Sequence, residues 1–399
     1  GEENLNSSLA MEYARLSGAA VDWLEEDIGV DFGDRVPNKG AYEPLNVARV
    51  YLPVGGAPAV DAKLLERLES YVDEGTAAIL YNTLVTELIT DESGAVVGVK
   101  ATGEDGTVKE YSAPATILAT GGYGYSEELL KEYNFTNVLS SSPVTAIGSG
   151  YTLALSVGGQ LMNMDYCAPY AGGIPTGTFA VSAMASTQYP GAIWVDVDGN
   201  RLADEMGADT RVLAETWTNA KDNIVYVLYD EAMIESDYGV ITNISGTVGE
   251  KEDNKARLDE LLSDGMSVYH ADSIEGLAEQ MGVDPDALAA TIETYNGYCD
   301  SGTDEDFGRT ESLIKFESGS YYAIRTYPYV LMTSGGVVID GDAQVLDADG
   351  AAIPGLYAAG ELVGSANIGG RATIGGTGHG MCLTFGIEAA TNAVARAGK

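Results

Sequence analysis

The spacing of apolar residues predicts two amphipathic helices in the first part of the chain. Over residues 8–28, apolar side chains recur every three or four positions, as they do along one face of an α-helix. A second helical period covers residues 61–75 and ends at Gly75, a residue that readily takes the left-handed conformation that closes a helix. The apolar face of the first helix consists of Leu9, Tyr13, Leu16, Ala20 and Leu24.

Short apolar runs separated by turn residues predict a β-meander after the second helix. We interpret the first run as a buried strand and the later ones as strands that return to a central sheet. Asp and Gly residues between the runs indicate tight turns. The predicted strands cover residues 77–81, 84–89, 96–99 and 115–122, with turns at 91–94 and 103–106.

The composition changes near residues 163–164, where we predict that a second domain begins. Pro, Gly, Ser and Thr are frequent over residues 169–191. Residues 192–195 then predict a strand that runs into the turn Asp198-Gly199, and Asp284-Pro285 predicts the start of a helix, because Asp favours the N-cap and Pro the first turn. The apolar face of that helix is Leu288, Ile292 and Tyr295, which we expect in a core.

A glycine-dense loop near the carboxyl end predicts an anion site. Strands predicted at 337–340 and 356–359 lead into this loop, which opens an apolar helix over residues 380–396. Without side chains, backbone N–H groups can approach a planar ligand, and the helix directs its positive end toward it. Alternatively, the glycines only form turns that connect strands to a buried helix. They are Gly369, Gly370, Gly375, Gly376 and Gly378.

Composition narrows the class of protein. A length of 399 residues with 45% hydrophobic residues is enough for two or three domains. Twenty-one basic against sixty acidic residues give a net charge of −39, which disfavours nucleic acid and anionic membranes as partners. Three separated cysteines and two histidines provide neither a disulfide framework nor a metal site, and no apolar run is long enough to predict a membrane segment.

Short motifs occur at separated places along the chain: Leu118-Ala-Thr-Gly-Gly122, Gly302-Thr-Asp-Glu-Asp-Phe-Gly-Arg309, Tyr321-Tyr-Ala-Ile324, Gly355-Leu-Tyr-Ala-Ala-Gly-Glu361, Asn367, Arg371, Gly375-Gly376 and Leu383-Thr-Phe-Gly386. Together they resemble the fumarate reductase/succinate dehydrogenase flavoprotein superfamily, which includes soluble fumarate reductases, urocanate reductases and 3-ketosteroid dehydrogenases. The resemblance covers nearly the whole chain. It implies an α/β fold with an α+β cap, in which a Rossmann-like FAD-binding domain (1–163 and 331–399) contains an inserted capping domain (164–330).

The resemblance also implies an N-terminal nucleotide-binding motif that this sequence does not show. Relatives begin with a strand and a G-x-G-x-x-G turn that belongs to a βαβ unit and grips the pyrophosphate. Neither precedes the helix predicted at 8–28. We therefore expect a truncated flavoprotein that holds FAD weakly or not at all.

The resemblance implies a set of residues that contact FAD. Val85 would meet the adenine, the segment from Thr120 through Gly121 to Gly122 would pass beside the dinucleotide, and Glu361 after Gly360 would hold hydroxyl groups of the ribityl or ribose. An ordinary strand-to-loop turn at 121–122 and simple turn capping by Glu361 remain alternatives. The helix start, Gly375, Gly376, Thr377, Gly378 and His379, would approach the flavin ring, although His379 is equally compatible with no chemical role.

Catalytic candidates also follow from the resemblance. Family members reduce a C=C bond by hydride transfer from flavin N5 and protonate the other carbon with an arginine. Arg211 in Asp209-Thr-Arg211 is the candidate donor, although the motif lies two residues later than in the fumarate reductases, and a surface ion pair with Asp209 is the alternative. Arg371 matches the arginine that binds the substrate carboxylate, and a structural arginine is its alternative. In the ketosteroid branch a tyrosine acts instead, for which Tyr170, Tyr189 and Tyr329 are candidates.

Departures from the family pattern point away from fumarate itself. Met332 stands where the family has a histidine in His-Thr-Met-Gly-Gly, and a second expected histidine is replaced within Ala168-Pro169-Tyr170. Together with twenty-four tyrosines, these changes favour a larger, partly apolar or aromatic enoate or enone.

Three hypotheses follow. The first is an FAD-dependent reductase of a small unsaturated substrate, supplied with electrons by an external haem or flavin protein, because the chain shows no nicotinamide, haem or iron–sulfur motif. The second is a ketosteroid-dehydrogenase-like enzyme with tyrosine catalysis. The third is a flavin-free, non-catalytic fragment. The sequence leaves the compartment, the substrate and the donor open.

Overall fold

The structure is a computed structural model that describes residues 6–38, 45–167, 169–175, 177, 179–236, 240–242, 251–317, 319–370 and 376–398. It divides into two compact units. The first unit comprises Gly1–Leu129, Val144–Cys167 and Met332–Lys399, and the second comprises Leu130–Pro143 and Ala168–Leu331. The assignment of flavin binding to one part and capping to another stays a prediction.

Strands and helices alternate along the chain. The strands are β1 (Val36–Asn38), β2 (Leu45–Val50), β3 (Thr83–Thr90), β4 (Val96–Gly103), β5 (Val108–Ser112), β6 (Thr116–Leu118), β7 (Leu139–Ser140), β8 (Leu161–Met162), β9 (Tyr170–Pro175), β10 (Val181–Ala185), β11 (Ile193–Val195), β12 (Val225–Asp230), β13 (Ile241–Thr242), β14 (Val268–Ala271), β15 (Tyr321–Val330), β16 (Gly336–Val337), β17 (Gln344–Leu346) and β18 (Ala352–Ala358). The helices are α1 (Ser7–Trp23), α2 (Ala57–Asp73), α3 (Glu127–Glu132), α4 (Ser149–Ser156), α5 (Thr210–Asn219), α6 (Glu231–Ser236), α7 (Lys251–Asp264), α8 (Ile274–Met281), α9 (Pro285–Ser301), α10 (Ser365–Gly369) and α11 (Thr377–Ala397). Within the ranges that the structure describes, no helix combines the length and apolar character needed to cross a membrane.

The sheets of the first unit join segments that are distant in sequence. Strands β3, β4 and β5 form an antiparallel meander, of which β3 and β4 were predicted from apolar runs and β5 was not. Strand β6 belongs to another sheet, of order β17-β18-β6, in which β6 and β18 run parallel. Strand β16 pairs with β8. Because β16, β17 and β18 come from the last third of the chain, the first unit is built from both halves of the sequence.

The predicted helices of the first unit are present. The side chain of Asn6 caps α1 by accepting a hydrogen bond from the N–H of Leu9 at 3.2 Å, which satisfies one of the exposed donors of a helix start. Helix α1 packs against α11, where Gly380 leaves room for the hydroxyl group of Tyr13. Helix α2 begins four residues earlier than predicted, with Pro58 in its first turn.

The strand predicted at residues 77–81 is wrong. This segment forms no strand, and Leu80 and Tyr81 are 55% and 75% exposed. The meander begins only at Thr83, after Asn82 has reversed the chain with a left-handed backbone conformation, φ 50°. Apolar residues alone do not make a strand, because a strand also needs a neighbour with which to pair.

The second unit is built around a sheet of order β11-β12-β15-β9-β10-β13, with β14 and β7 also paired to β15. Helices α5 and α7 cover one part of it, where Trp194 and Trp217 meet edge to face with ring centroids 4.9 Å apart. Helices α8 and α9 cover another part, and the predicted apolar face of α9, Leu288, Ile292 and Tyr295, is buried there. Asp284 caps α9 as predicted.

Four charged side chains meet in the interior of the second unit. Arg201 contacts Glu205 at 2.8 Å and Asp304 at 2.9 Å, and Arg309 contacts Glu205 at 2.9 Å. Arg309 is 1% exposed and also donates hydrogen bonds to the backbone carbonyl oxygens of Ala192, Glu311 and Ser312. Thus Arg201 and Glu205 meet the Gly302–Arg309 motif in one neutral cluster of two cations and two carboxylates.

The environment of this cluster shifts the pKa of its members. Burial alone would lower the pKa of Arg201, but hydrogen bonds and attraction to Glu205 and Asp304 raise it above the ordinary value. For Asp304, burial opposes ionisation, while the N–H of Phe307 and the guanidinium of Arg201 lower its pKa. Both groups therefore stay charged when the unit is folded.

We predict that Arg309→Met lowers the free energy of unfolding of the second unit by about 3–5 kcal/mol, because Glu205 keeps a buried charge with one cation fewer. Urea unfolding followed by tryptophan fluorescence measures this change. Lys315→Met is the matched control, because Lys315 pairs with Asp300 on the surface, and it should leave the unfolding midpoint unchanged. Equal midpoints for both variants would show that the buried cluster does not stabilise the unit.

Candidate functional site

Two segments that carry predicted site residues leave the same edge of one sheet. Strands β6 and β18 are parallel neighbours, with Leu118 opposite Ala358. The segments that follow them, 119–122 and 359–361, therefore begin side by side at the carboxyl ends of the strands. In open sheets with parallel strands, ligands bind at this edge.

Glu361 lies at this edge with its carboxylate in a defined position. Its Oε1 accepts hydrogen bonds from the backbone N–H of Thr333 at 2.7 Å and from the Thr333 hydroxyl at 3.0 Å. Burial raises the pKa of Glu361 above its ordinary value, and the two hydrogen bonds from Thr333 partly oppose this increase. A half-buried carboxylate fixed through one oxygen keeps a second oxygen with which to accept hydrogen bonds from a ligand.

Position 122 needs a glycine, because the Glu361 carboxylate leaves no space there for a side chain. A Cβ atom at Gly122 would overlap Oε1 of Glu361 and the hydroxyl oxygen of Thr333. A second glycine, Gly150 in the first turn of α4, makes room for Thr120. The Thr120 hydroxyl occupies the space that a Cβ at Gly150 would need. The predicted residues Thr120, Gly121, Gly122, Gly360 and Glu361 are thus brought together.

Thr333 is held by a close contact of three backbone segments. A Cβ at Gly335 would overlap the carbonyl oxygen of Asn163, one at Gly336 would overlap that of Leu362, and one at Gly364 would overlap that of Ser334. These contacts fix the segment 333–336 against the segment that carries Glu361.

Two buried asparagines, Asn163 and Asn367, link these backbone segments by hydrogen bonds. Asn163 donates a hydrogen bond from Nδ2 to Oδ1 of Asn367 at 2.8 Å, and Asn367 donates to the carbonyl oxygens of Gly336 and Val363. Asn163 has a left-handed backbone conformation, φ 57°. Sequence reasoning did not assign a role to Thr333 or Asn163. The sequence signal for Thr333 is its position directly after Met332, the residue that replaces a histidine of the family.

The start of α11 supplies the helix end predicted from the glycines. Gly376 is its N-cap with φ 84°, a conformation suited to glycine, and as a glycine it has no side chain with which to cap the helix. Gly378 lies beside the side chain of Met332, while His379 in the first turn is exposed. The helix also packs against the 3₁₀ turn Gly360–Leu362 that contains Glu361. Gly375 and Arg371 lie outside the described residues.

Val85 stands apart from this group. It lies in β3, half-buried and paired with Ala101 in the meander, rather than at the edge formed by β6 and β18. Its predicted contact with adenine stays a prediction.

The four proton-donor candidates, Arg211, Tyr170, Tyr189 and Tyr329, belong to the second unit. Arg211 is the second residue of α5, and its side chain lies outside the described part of the chain. Asp209 is the N-cap of α5, where its carboxylate accepts a hydrogen bond from the N–H of Val212 at 2.9 Å. Tyr329 is 9% exposed, its ring stacks on Tyr170 with centroids 5.6 Å apart, and its hydroxyl donates to the sulfur atom of Met184. Burial, with a smaller effect of Tyr170, raises the pKa of Tyr329 to about 12.

The group around Glu361 fits the requirements of a flavin dinucleotide. A carboxylate with an available oxygen suits a ligand diol, the glycines at 122 and 376 allow close approach of the backbone, and a helix of 21 residues directs its positive end to one side of the group. Across the described residues, no group of three or more His, Cys, Asp or Glu side chains has the arrangement of a metal site. The geometry therefore suits an organic, hydroxyl-bearing and partly anionic ligand.

Comparison with known proteins agrees with this geometry. A family model described as an FAD binding domain matches residues 1–378. The chain is 33% identical to a urocanate reductase of Eggerthella lenta over 384 residues, which are 95% of this chain and 60% of that protein. It is 29% identical to a fumarate reductase (cytochrome) of Shewanella frigidimarina over 394 residues, 97% of this chain and 63% of that protein. The chain thus spans less than two thirds of the length of these relatives.

Solved structures show the same fold. The open conformation of a flavocytochrome c3 fumarate reductase superimposes with a TM-score of 0.74 at 26% identity, over 99% of this chain and 65% of that one. A 3-ketosteroid Δ1-dehydrogenase from Sterolibacterium denitrificans gives a TM-score of 0.77 at 19% identity, over 99% of this chain and 86% of that one, a likeness of fold alone. The chain therefore belongs to the FAD binding domain family within the fumarate reductase/succinate dehydrogenase flavoprotein superfamily, whose cofactor is FAD, as its motifs predicted.

Proposed function

We propose that this chain contributes residues that contact FAD and forms the substrate-reducing part of an oxidoreductase that acts on the C=C bond of an α,β-unsaturated acid or enone. The observation that carries the proposal is the Glu361 carboxylate, fixed by Thr333 beside Gly122 at the carboxyl ends of β6 and β18. Relatives named as reductases of urocanate, fumarate and acrylate support the reaction class.

Each residue of the group has a separate task in this proposal. Glu361 accepts hydrogen bonds from hydroxyl groups of the flavin side chain, and Gly122 keeps the space beside it open. The start of α11, from Gly376 to His379, directs N–H groups and the positive helix end toward negative charge on the ring. When bound, the flavin supplies the hydride that reduces the double bond.

An arginine or a tyrosine supplies the proton in this proposal. Arg211 is the first choice, because the family resemblance places its proton-donating arginine in this segment, at the second position of α5. Tyr329 is the second choice. Its pKa of about 12 keeps the hydroxyl protonated, although that proton is directed at Met184 in this structure.

The substrate is proposed to carry one acid or carbonyl group and an apolar body. Arg371 binds the anionic group with a bidentate contact, and Met332, which touches Gly378 at the start of α11, offers an apolar surface where a histidine would favour a second carboxylate. A small haem or flavin protein supplies the electrons.

A ketosteroid-dehydrogenase-like reaction is the alternative, favoured by the stacked pair of Tyr170 and Tyr329. Assays with a reduced dye and an enoate, against assays with an oxidised dye and a saturated ketone, separate the two directions. An absorbance scan of the protein, incubated with FAD and then freed of excess, separates both from a flavin-free binding module, because bound flavin makes the protein yellow.

We predict that Gly122→Ala weakens FAD binding by at least about tenfold, because the new methyl group displaces the Glu361 carboxylate, one charged hydrogen-bonding group. Flavin fluorescence quenching measures the affinity. Gly18→Ala is the control, since Gly18 lies inside α1 with free space around it, and it should leave the affinity unchanged. If Gly122→Ala binds FAD as tightly as the wild type, Glu361 takes no part in flavin binding.

Glu361→Gln tests the state of the carboxyl group. The folded-state pKa of Glu361 is raised, so the folded protein holds this proton to higher pH than the unfolded chain does. The free energy of unfolding of the wild type should therefore decrease relative to that of Glu361→Gln as pH rises from about 4 through the folded-state pKa. Urea unfolding of both proteins over this pH range is the measurement, and a difference that stays constant contradicts the burial of the carboxyl group.

Replacing Arg211 by Gln should decrease the turnover of an enoate by about 10²–10⁴-fold with little change in bound flavin, because proton transfer is lost and the cofactor site is intact. Steady-state assays with a reduced dye measure this. Tyr329→Phe is the companion variant and should retain turnover. The reverse result, a loss in Tyr329→Phe alone, assigns the proton to Tyr329 instead.

A further inference from the structure

The second unit contains a cavity of about 370 Å³ that takes no part in the proposed reaction. It is lined by Leu139, Pro175, Gly177, Gly265, Met266, Tyr269, Arg325 and Tyr327, all within this unit. Its volume lies within the range of pockets that bind small organic molecules. Its wall is partly polar and partly apolar and is open to solvent, and Arg325 is the only charged residue among the described residues that line it.

Arg325 keeps hydrogen-bonding capacity that the protein does not use. It lies in β15 opposite Tyr226 of β12, and its Nε atom is buried with no hydrogen-bond partner. The side chains of Tyr327, Tyr269 and Tyr226 surround it, Tyr327 shares a hydrogen bond with it, and no carboxylate of the described residues pairs with it. A buried donor without a partner is uncommon in folded proteins and indicates a missing acceptor.

The charge of the protein makes this arginine unusual. With sixty acidic and twenty-one basic residues, a carboxylate is the most available partner for any cation. The other arginines of the unit whose side chains the structure describes follow that expectation, since Arg201 and Arg309 lie in the buried cluster and Arg257 pairs with Glu260. Arg325 therefore carries a positive charge that remains available to an anion entering the cavity.

The walls around Arg325 are held in place before any ligand arrives. The Tyr269 hydroxyl donates to the carbonyl oxygen of Met266 at 3.0 Å, and the Ser267 hydroxyl donates to that of Pro175 at 2.9 Å. The Tyr327 ring lies 5.5 Å from the guanidinium carbon of Arg325. A preformed cavity costs less ordering on binding than one that must be assembled.

We propose that this cavity is an accessory binding site for a small aromatic monocarboxylate. The ligand carboxylate pairs with the Arg325 guanidinium, whose planar donors match two carboxylate oxygens. The aromatic ring lies among Tyr269, Tyr327 and Met266, which offer ring faces and a polarisable sulfur atom. One cation selects one negative charge, and the apolar part of the wall disfavours strongly hydrated anions.

Binding of 2-naphthoate to the purified protein tests the proposal, because this acid is fluorescent and has no isolated double bond to reduce. The wild type should bind 2-naphthoate at least about tenfold more tightly than 2-naphthamide, its neutral analogue, and than cyclohexanecarboxylate, its non-aromatic analogue. This comparison uses the unmodified protein, so it does not depend on whether any variant folds. Equal affinity for the acid and the amide overturns the role of Arg325.

Variants assign the binding to the cavity. Arg325→Met should weaken 2-naphthoate binding by at least about tenfold, whereas Arg257→Met, which removes an arginine paired with Glu260 in the same unit, should not change it. Met266→Trp fills the cavity from a position that is 38% exposed and should also prevent binding. Circular dichroism confirms that each variant is folded.

Two results contradict the proposal: no binding of 2-naphthoate to the wild type at millimolar concentration, or equal affinity in the wild type, Arg325→Met and Met266→Trp. Neither result bears on the flavin reaction, because the cavity residues are not among those proposed to hold FAD or to transfer the proton. Conversely, a protein that lacks flavin should still bind 2-naphthoate.

Discussion

The candidate site depends on the contact of backbone with backbone around Thr333. At Gly335, Gly336 and Gly364, the space for a side chain is occupied by a main-chain carbonyl oxygen of a neighbouring segment. A side chain can rotate away from a clash, but a carbonyl oxygen inside a folded segment cannot. Thr333 is therefore fixed by the course of the chain, and its two hydrogen bonds pass that fixed position on to Glu361. Such preorganisation is what a cofactor site requires.

The second unit deals with its charges in two ways. In the cluster of Arg201, Arg309, Glu205 and Asp304, two cations and two carboxylates neutralise one another, and backbone carbonyl oxygens accept the remaining hydrogens of Arg309. Transfer of such groups out of water is costly, so their contribution lies in the fixed geometry of the joined loops as much as in net stability. Arg325 has no such compensation. Within one unit, then, the charges of the buried cluster neutralise one another, whereas the charge of Arg325 remains available to a ligand.

Much of the fold could be predicted because its signals are local. Helices α1 and α9 follow from apolar spacing and from capping residues next to the helix in sequence, and the meander of β3, β4 and β5 follows from turns of a few residues. The segment 77–81 shows the limit, because its apolar residues resemble a strand while no local signal tells whether a neighbouring strand exists.

The residues of the candidate site also fall into those that the sequence could predict and those that it could not. Glu361, Gly122 and Gly376 were predicted because their motifs carry a resemblance that extends beyond local physics. The partner of Glu361 was not, since Thr333 is separated from it by 28 residues and the two meet only through the packing of glycines against distant carbonyl oxygens. Arg325 gave no sequence signal either, because the lack of a carboxylate partner among the described residues is a property of three-dimensional surroundings and not of spacing along the chain.

The discontinuous course of the first unit has a consequence for synthesis on the ribosome. Strand β6 and helix α1 emerge early, yet their partners β18 and α11 are made only after the entire second unit. The second unit is complete at Leu331 and can form its sheet while later residues are still inside the exit tunnel. Until then, β6 exposes an unpaired edge and α1 an uncovered apolar face, both of which favour aggregation. The nascent polypeptide therefore passes through a stage in which its second unit is complete and its first unit still lacks β18 and α11.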